Sequence, residues 1–258
     1  MLHSASLREV PPSTASGADS VEEGQAPAVA ANALPFVVRV VRTEEQLQKV
    51  CELRSVSYGR HLPEFGKTLA EPEPPDRMAG TVILLAQDKA TGLAIGTMRI
   101  HLNTHEALPV QSAVPLPASV RGYLLAEVSR LSVRPGYNEM KVRVALFKAL
   151  YLYCYANQVQ FILVAARRPL DKIYKSLGFK PLGGQEQWVP LPYANNIAHT
   201  VLVFDVLVAE RTWHDIKHPL YEFMVRTYHP DIQVFAAVSS GWTTPRHADD
   251  TRREARSG

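Results

Sequence analysis

Several charged side chains fall where this chain's pattern calls for apolar ones, and their types suit proton transfer and carboxylate binding. Glu127 interrupts the run YLLAEVSRLSV, whose length and β-branched content predict a mostly buried strand. A carboxylate among Leu124, Leu125, Val128, Leu131 and Val133 is costly to ionise unless a partner answers its charge. Two readings follow: a functional carboxyl, or one half of a buried ion pair. Arg130 lies three residues on, and Arg99 sits inside the strand-like LAIGTMRIHL. Arg54 falls on the helical face marked by Leu47, Val50, Cys51 and Tyr58, where an apolar residue is due. An arginine aimed at a core needs a carboxylate, a carbonyl or a ligand.

These groups must be held by a scaffold. FVVRVVR from Phe36 predicts a strand, and Thr43-Glu44-Glu45-Gln46 is a capping-box pattern that opens the helix of Arg54. From Arg60 to Gly80 the chain is proline-rich and acidic, with neither helical nor strand period, and reads as a long substrate-side loop in which Glu73 and Asp76 are candidates. TVILLAQ and LAIGTMRIHL, joined by Asp88-Lys89-Ala90-Thr91-Gly92, form a hairpin. Residues 103 to 120 are a second proline-rich connection into the strand of Glu127. Arg134-Pro135-Gly136 ends that strand. Asn138 and Glu139 then cap and open a helix with Val142, Ala145, Leu146, Ala149, Leu150 and Tyr153 at helical spacing.

QFILVAA predicts a buried strand, and Pro169 opens a short helix carrying Asp171, Tyr174 and Lys175 that Gly178 stops. Extended structure restarts at Phe179. HTVLVFDVLV is a further strand, followed by an amphipathic helix from about Glu210 to Tyr228. The sum is an α+β (mixed α/β) domain over 35–235, a central mixed sheet flanked by helices. Residues 1–34 read as a disordered leader and 236–258 as a charged, disordered tail.

Composition narrows the class. With 46% hydrophobic residues in 258, the chain can build one sizeable core. A net charge of +3 without a basic stripe argues against nucleic acid. Cys51 and Cys154 fall among apolar helix positions and read as buried thiols, and no zinc-ligand spacing occurs, so no metal is expected. No uncharged apolar run approaches the ~20 residues of a membrane span. The N-terminus lacks a compact apolar signal core, which makes the cytoplasm the default location.

The order strand, helix, proline-rich loop, hairpin, EVSR strand, helix, strand and IYKSLGF resembles the GCN5-related N-acetyltransferase fold from about Phe36 to Val208. Within it, Arg54, Gly96-Thr97-Met98-Arg99 and Glu127-Val128-Ser129-Arg130 resemble the acyl-homoserine-lactone synthases and the N-acyl amino acid synthases. Two departures bear on the substrates. Acetyl-coenzyme A enzymes of this fold hold the pyrophosphate on a glycine-rich turn, whereas Tyr137 to Val142 here has no glycine and places Glu139 at the helix start. This favours a donor on the phosphopantetheine arm of acyl carrier protein, with acyl-CoA less favoured and no bound cofactor. The chain also lacks the tryptophan that the lactone synthases carry after the first-helix arginine, and Glu73 and Asp76 only approximate their paired aspartates. N-acylation of an amino acid is therefore the leading expectation. The alternatives are lactone synthesis from S-adenosylmethionine and a non-catalytic acyl-carrier or acyl-lipid binding protein.

Under that resemblance the roles fall on named residues. Glu127 takes the acceptor's proton, directly or through water, and burial would raise its pKa from an ordinary ~4.3. Tyr174 protonates or orients the leaving thiolate, or simply packs in the core. Backbone amides of Leu131, Ser132 and Val133 border the acyl-pantetheine and receive the oxyanion if the strand bulges. A bulge is also needed for Glu127 and Arg130 to share a site, since three residues apart on a regular strand they face opposite ways. Arg54, Arg99 and Arg130, with Asp76, bind the acceptor, or else the arginines neutralise Asp76 and Glu127. Arg134, Lys141, Arg143, Arg167, Arg168 and Lys172, with Lys175, offer a basic docking face to acidic acyl carrier protein.

Overall fold

The structure is a computed structural model that describes residues 32–235. The expected leader and tail lie outside the described residues, except for 32–34. There Leu34 is already buried, and its N–H donates to Asp231 Oδ2 at 2.8 Å.

Nine strands form one mixed sheet: β1 (Phe36–Val40), β2 (Thr81–Asp88), β3 (Ala94–Leu102), β4 (Leu125–Val133), β5 (Phe161–Ala166), β6 (Lys180–Pro181), β7 (Trp188–Leu191), β8 (Ile197–Asp205) and β9 (Ile232–Gln233). Their order is β6-β8-β5-β4-β3-β2-β1-β9, with β7 also on β8. β4 with β5 and β1 with β9 run parallel, and the remaining pairs are antiparallel.

The sheet is covered on both faces, and the two-residue period of its strands sorts the core. Leu84 and Ala86 face helix α3 (Glu139–Ala156), whose Ala145, Leu146 and Ala149 are fully buried. Ile83 and Leu85 face the other way, onto Leu47, Val50 and Cys51 of α1 (Glu44–Gly59). Both helices start as their sequences require: the Thr43 hydroxyl accepts from Gln46 N–H, and the Asn138 side chain accepts from Lys141 N–H. Gly96 on β3 lets α3 approach, since a Cβ there would lie 2.5 Å from Val142.

Two expectations need correction. Residues 60–80 are not one irregular loop: they hold α2 (Pro63–Thr68) and a 3-10 turn (Pro74–Arg77), each with proline in its first turn. Elements of six and four residues are too short to display a helical period. α2 packs closely on α1, where Gly66 meets Gly59 and a Cβ would come within 2.5 Å of its Cα. Towards the C-terminus, the single helix expected from Glu210 to Tyr228 is instead α5 (Ala209–Asp215) and a π-type turn (Glu222–Arg226). Pro219 lies between them and denies its neighbourhood a backbone donor. The short helix α4 (Leu170–Ser176) forms as read.

Candidate active site

The cleft begins where the sheet comes apart. β4 and β5 pair only from Leu125 with Phe161 to Val128 with Val164. Beyond that point Ser129 to Val133 have no partner on β5, and a cleft of about 760 Å³, counting its open mouth, passes through the gap. Tyr58, Leu62 and Phe65 line it on the α1 side, and Leu170 and Tyr174 line it on the opposite face.

Glu127 sits at the base of this split with only 1% of its surface exposed. Its Oε2 accepts the Val110 N–H at 2.8 Å, and its Oε1 accepts the Tyr193 hydroxyl at 3.2 Å. Burial pushes its carboxyl up to about 7, against smaller opposing effects from those two donors and the charge of Arg99. The carboxyl is therefore balanced between its two states near neutral pH. Neither Val110 nor Tyr193 was evident from the sequence. Val110 lies in a 3-10 turn (Pro109–Ser112) of the proline-rich connection, and Tyr193 in another (Pro192–Ala194) within a stretch read simply as extended. The only sequence signal was the turn chemistry of Pro192-Tyr193-Ala194-Asn195-Asn196.

β4 does bulge. Thr97 faces Ser132 while Arg99 faces Ser129, so β4 carries one extra residue, and Arg130 adopts a φ of 55° there. The bulge brings Arg130 to the α1 side, 5.3 Å from the Phe65 ring centroid, on the same face as Glu127. Of the three positions expected to border the acyl-pantetheine, Leu131 lines the cleft. Ser132 and Val133 do not: past the bulge they pair again with Thr97 and Gly96.

The arginines find carboxylates, but not Glu127. Arg54 Nη1 donates to both Asp76 oxygens at 2.9 and 2.8 Å. Arg99 Nη1 reaches Glu73 and Asp76, each at 3.0 Å, and its Nε reaches Ser129 Oγ at 3.2 Å. Arg130 grips Glu73 in bidentate fashion, Nε at 2.7 Å and Nη2 at 2.5 Å. Burial raises the Glu73 carboxyl, but its Arg130 hydrogen bonds and the surrounding guanidinium charges outweigh that and hold it below the usual range. Asp76 is likewise raised by burial and brought down further by Arg54 and Arg99. The neutralising alternative thus holds for Asp76, with Glu73 in place of Glu127 as the second anion. Arg54, Asp76 and Arg99 are enclosed behind the cleft, and of the four expected acceptor-binding residues Arg130 alone lines it.

Tyr174 is buried on the α3 side between Phe147 and Phe179, whose rings it meets edge-on at 5.3 and 5.2 Å. Burial pushes its phenol well above the usual tyrosine range. The expected docking cations divide. Lys141, Arg168 and Lys172 are exposed, Arg168 lying over Trp188 at 4.8 Å. Arg134 is half-buried on the Ala94 carbonyl and Arg143 on Glu139, while Lys175 is paired with Asp171 and Glu186. Arg167 lines the cleft itself. Among the described residues no group of three or more potential ligands gathers to hold a metal, and no helix is long and apolar enough to cross a membrane.

The family model described as N-acyl amino acid synthase FeeM matches residues 49–201, more than half of the chain. No curated protein matches the sequence. Among solved structures, FeeM, an N-acyl amino acid synthase from uncultured soil microbes, is 15% identical with a TM-score of 0.54, over 73% of this chain and 98% of its own. The CoA-dependent acyl-homoserine lactone synthase BjaI, with SAM and isopentyl-CoA, is 20% identical with a TM-score of 0.51, over 71% of this chain and 90% of its own. At these identities the structural likenesses establish a fold shared with these two synthases, and the family match establishes more: this chain is an acyltransferase that belongs to the N-acyl amino acid synthase family.

Proposed function

We propose that the chain transfers an acyl group from a thioester on acyl carrier protein to the α-amine of an amino acid, releasing the carrier thiol. The observation that carries this reading is Glu127: a buried carboxyl, pushed up to about 7, at the point where β4 and β5 part. An ammonium has no lone pair for attack, so its proton must leave first. A carboxylate with a pKa near the working pH is well matched to that task, and such base assistance is worth about 10² to 10⁴ in rate. The amine then attacks the thioester carbon, the C–N bond forms, and the tetrahedral intermediate collapses with loss of the C–S bond. Arg130 and Leu131 of the bulge line the cleft, and their backbone amides are the donors assigned here to the developing oxyanion. Tyr174 approaches from the other face of the sheet. Its raised phenol is a weaker acid than a thiol of pKa ~8.5, so it orients the departing sulfur by hydrogen bonding, and the thiolate takes the second N–H proton that the attacking nitrogen sheds as the intermediate collapses.

The donor choice rests on the start of α3. The Asn138 side chain already caps Lys141 N–H, the run from Tyr137 to Val142 holds no glycine, and Glu139 adds a negative charge. The exposed Lys141, Arg168 and Lys172 suit an acidic carrier. Because the structurally similar BjaI is described as CoA-dependent, acyl-CoA is the competing donor to test.

The experiment is incubation of purified protein with a long-chain acyl carrier protein or the matching acyl-CoA, and the twenty amino acids, with mass spectrometry of the products. A new N-acyl amino acid, formed faster from the carrier-bound donor and with a KM that rises with salt, supports the reading. Equal or faster use of acyl-CoA overturns the carrier assignment. Product only with S-adenosylmethionine, accompanied by methylthioadenosine, makes the chain a lactone synthase instead.

A further inference from the structure

We propose that Arg167 holds the carboxylate of the acceptor amino acid, with His199 of the same cleft offering an acceptor to its ammonium. This rests on the amino-acid acylation reading above, and it moves acceptor recognition away from the three arginines of the buried cluster. Ion pairing leads there. Arg54, Arg99 and Arg130 are each bound to Glu73 or Asp76, Arg130 through its Nε and Nη2 on Glu73. The second cation lining the cleft is Arg167, which forms no ion pair and no side-chain hydrogen bond among the described residues. A half-buried guanidinium has lost part of its hydration, and a planar carboxylate is the group that best replaces it.

Position puts it near the base. Glu127 is opposite Leu163 on β5, Ala165 two residues on lines the cleft, and Arg167, just past the end of that strand, lines it too. His199, one residue before the Thr200 that faces Ala166, lines the same cleft. The 2.7 Å contact of its Nδ1 with the Ile197 carbonyl requires the proton on Nδ1, which leaves Nε2 as an acceptor. Burial, and secondarily the Arg167 charge, disfavour protonation of this imidazole. The cleft therefore offers a guanidinium without an ion pair among the described residues and two proton acceptors, Glu127 and His199. An amino-acid zwitterion, with one carboxylate and one ammonium, complements that set.

The test compares the best amino acid of the panel with its primary carboxamide, for the wild type, Arg167→Gln and Arg167→Lys. The wild type should prefer the carboxylate by roughly 10- to 100-fold in kcat/KM, the range expected for hydrogen bonds to a charged group. Arg167→Gln should lose that preference through a higher KM for the amino acid, with kcat/KM for the carboxamide, donor KM and melting temperature unchanged. Arg167→Lys should restore part of it. An equal loss with both acceptors, or a raised donor KM that responds to salt, overturns the proposal and returns Arg167 to the carrier face. If the wild type acylates no amino acid at all, the acceptor assignment falls together with the reading it rests on.

Discussion

Two sets of carboxylates lie close together in this molecule and have opposite electrostatic fates. Glu73 and Asp76 are surrounded by three guanidiniums and held in their charged form. Glu127, more deeply enclosed than Glu73, receives a backbone amide and a phenol but, among the described residues, no cation in contact, and is raised to about 7. The first set is ion-paired and the second, among the described residues, is not. Ion pairing fixes the α1 side and the Arg130 bulge, whereas burial without a paired cation leaves a carboxyl free to exchange a proton in the working pH range. Structure and chemistry are thereby assigned to different carboxylates, although the sequence presents both as acidic residues near arginines.

The sharpest way to break the contrast is Glu127→Gln, which keeps the shape and an acceptor for the Val110 N–H, turns the Tyr193 hydroxyl from donor to acceptor, and removes the base. We expect kcat to fall by about 10² to 10⁴, and the pH–rate limb near 7 to disappear with it. A loss below about threefold would exclude Glu127 from the chemistry. Stability should move the other way. The folded-state pKa lies above the ordinary 4.5, so the neutral carboxyl favours folding below that value, and the advantage is lost as pH rises through about 7. Above pH 7 the glutamine variant should therefore be the more stable protein, by on the order of 3 kcal/mol, in denaturant titrations.

Asp76→Asn attacks the ion-paired side. It leaves Arg54 and Arg99 buried with Glu73 as their one carboxylate, and breaking a buried pair in this way costs about 3–5 kcal/mol. The expected result is a lower urea midpoint, with activity lost in step with folded fraction. Depressed carboxylate pKa values give the pH sign: this stability is present above the ordinary carboxylate range and is lost as pH falls through the lower folded values. A variant that stayed fully stable yet lost acceptor affinity would mean that Asp76 serves the substrate after all.

Tyr174→Phe probes the far side of the split. If the phenol only orients the leaving sulfur, the loss in kcat should be about tenfold, the scale of one hydrogen bond, with little change in melting temperature because the ring contacts with Phe147 and Phe179 persist. A loss above about a thousandfold would make it the proton donor.

What could be read before folding follows the same division. Arg54, Arg99 and Glu127 were legible because each breaks an apolar period, and the need for a bulge was legible because Glu127 and Arg130 differ by three on a strand. The identity of the partners was not. Glu73 pairs with Arg130 across 57 positions of chain, and nothing local distinguishes it from the neighbouring Glu71. Val110 and Tyr193 lie in short proline-led turns without periodicity, so the two groups that hold the Glu127 carboxyl were invisible. The same blindness to short elements hid α2 and merged α5 with the turn beyond Pro219.

Tyr193→Phe makes the finest cut, because it tunes Glu127 without removing it. The hydroxyl donates to Oε1 at 3.2 Å and so favours the ionised carboxylate, opposing burial. Without it the pKa of Glu127 should rise above about 7, by up to roughly one unit for a hydrogen bond worth ~1.4 kcal/mol. The direction fixes the kinetic pattern. Less base is ionised at pH 7, so the rate should drop by a few-fold there and recover at pH 9, where both proteins are fully ionised. Measured across pH, the limb should move to higher pH with its plateau unchanged. A limb that stays in place with a uniformly lower plateau would assign Tyr193 to substrate contact in the cleft it also lines, and the balance at Glu127 would then belong to burial and Val110 alone.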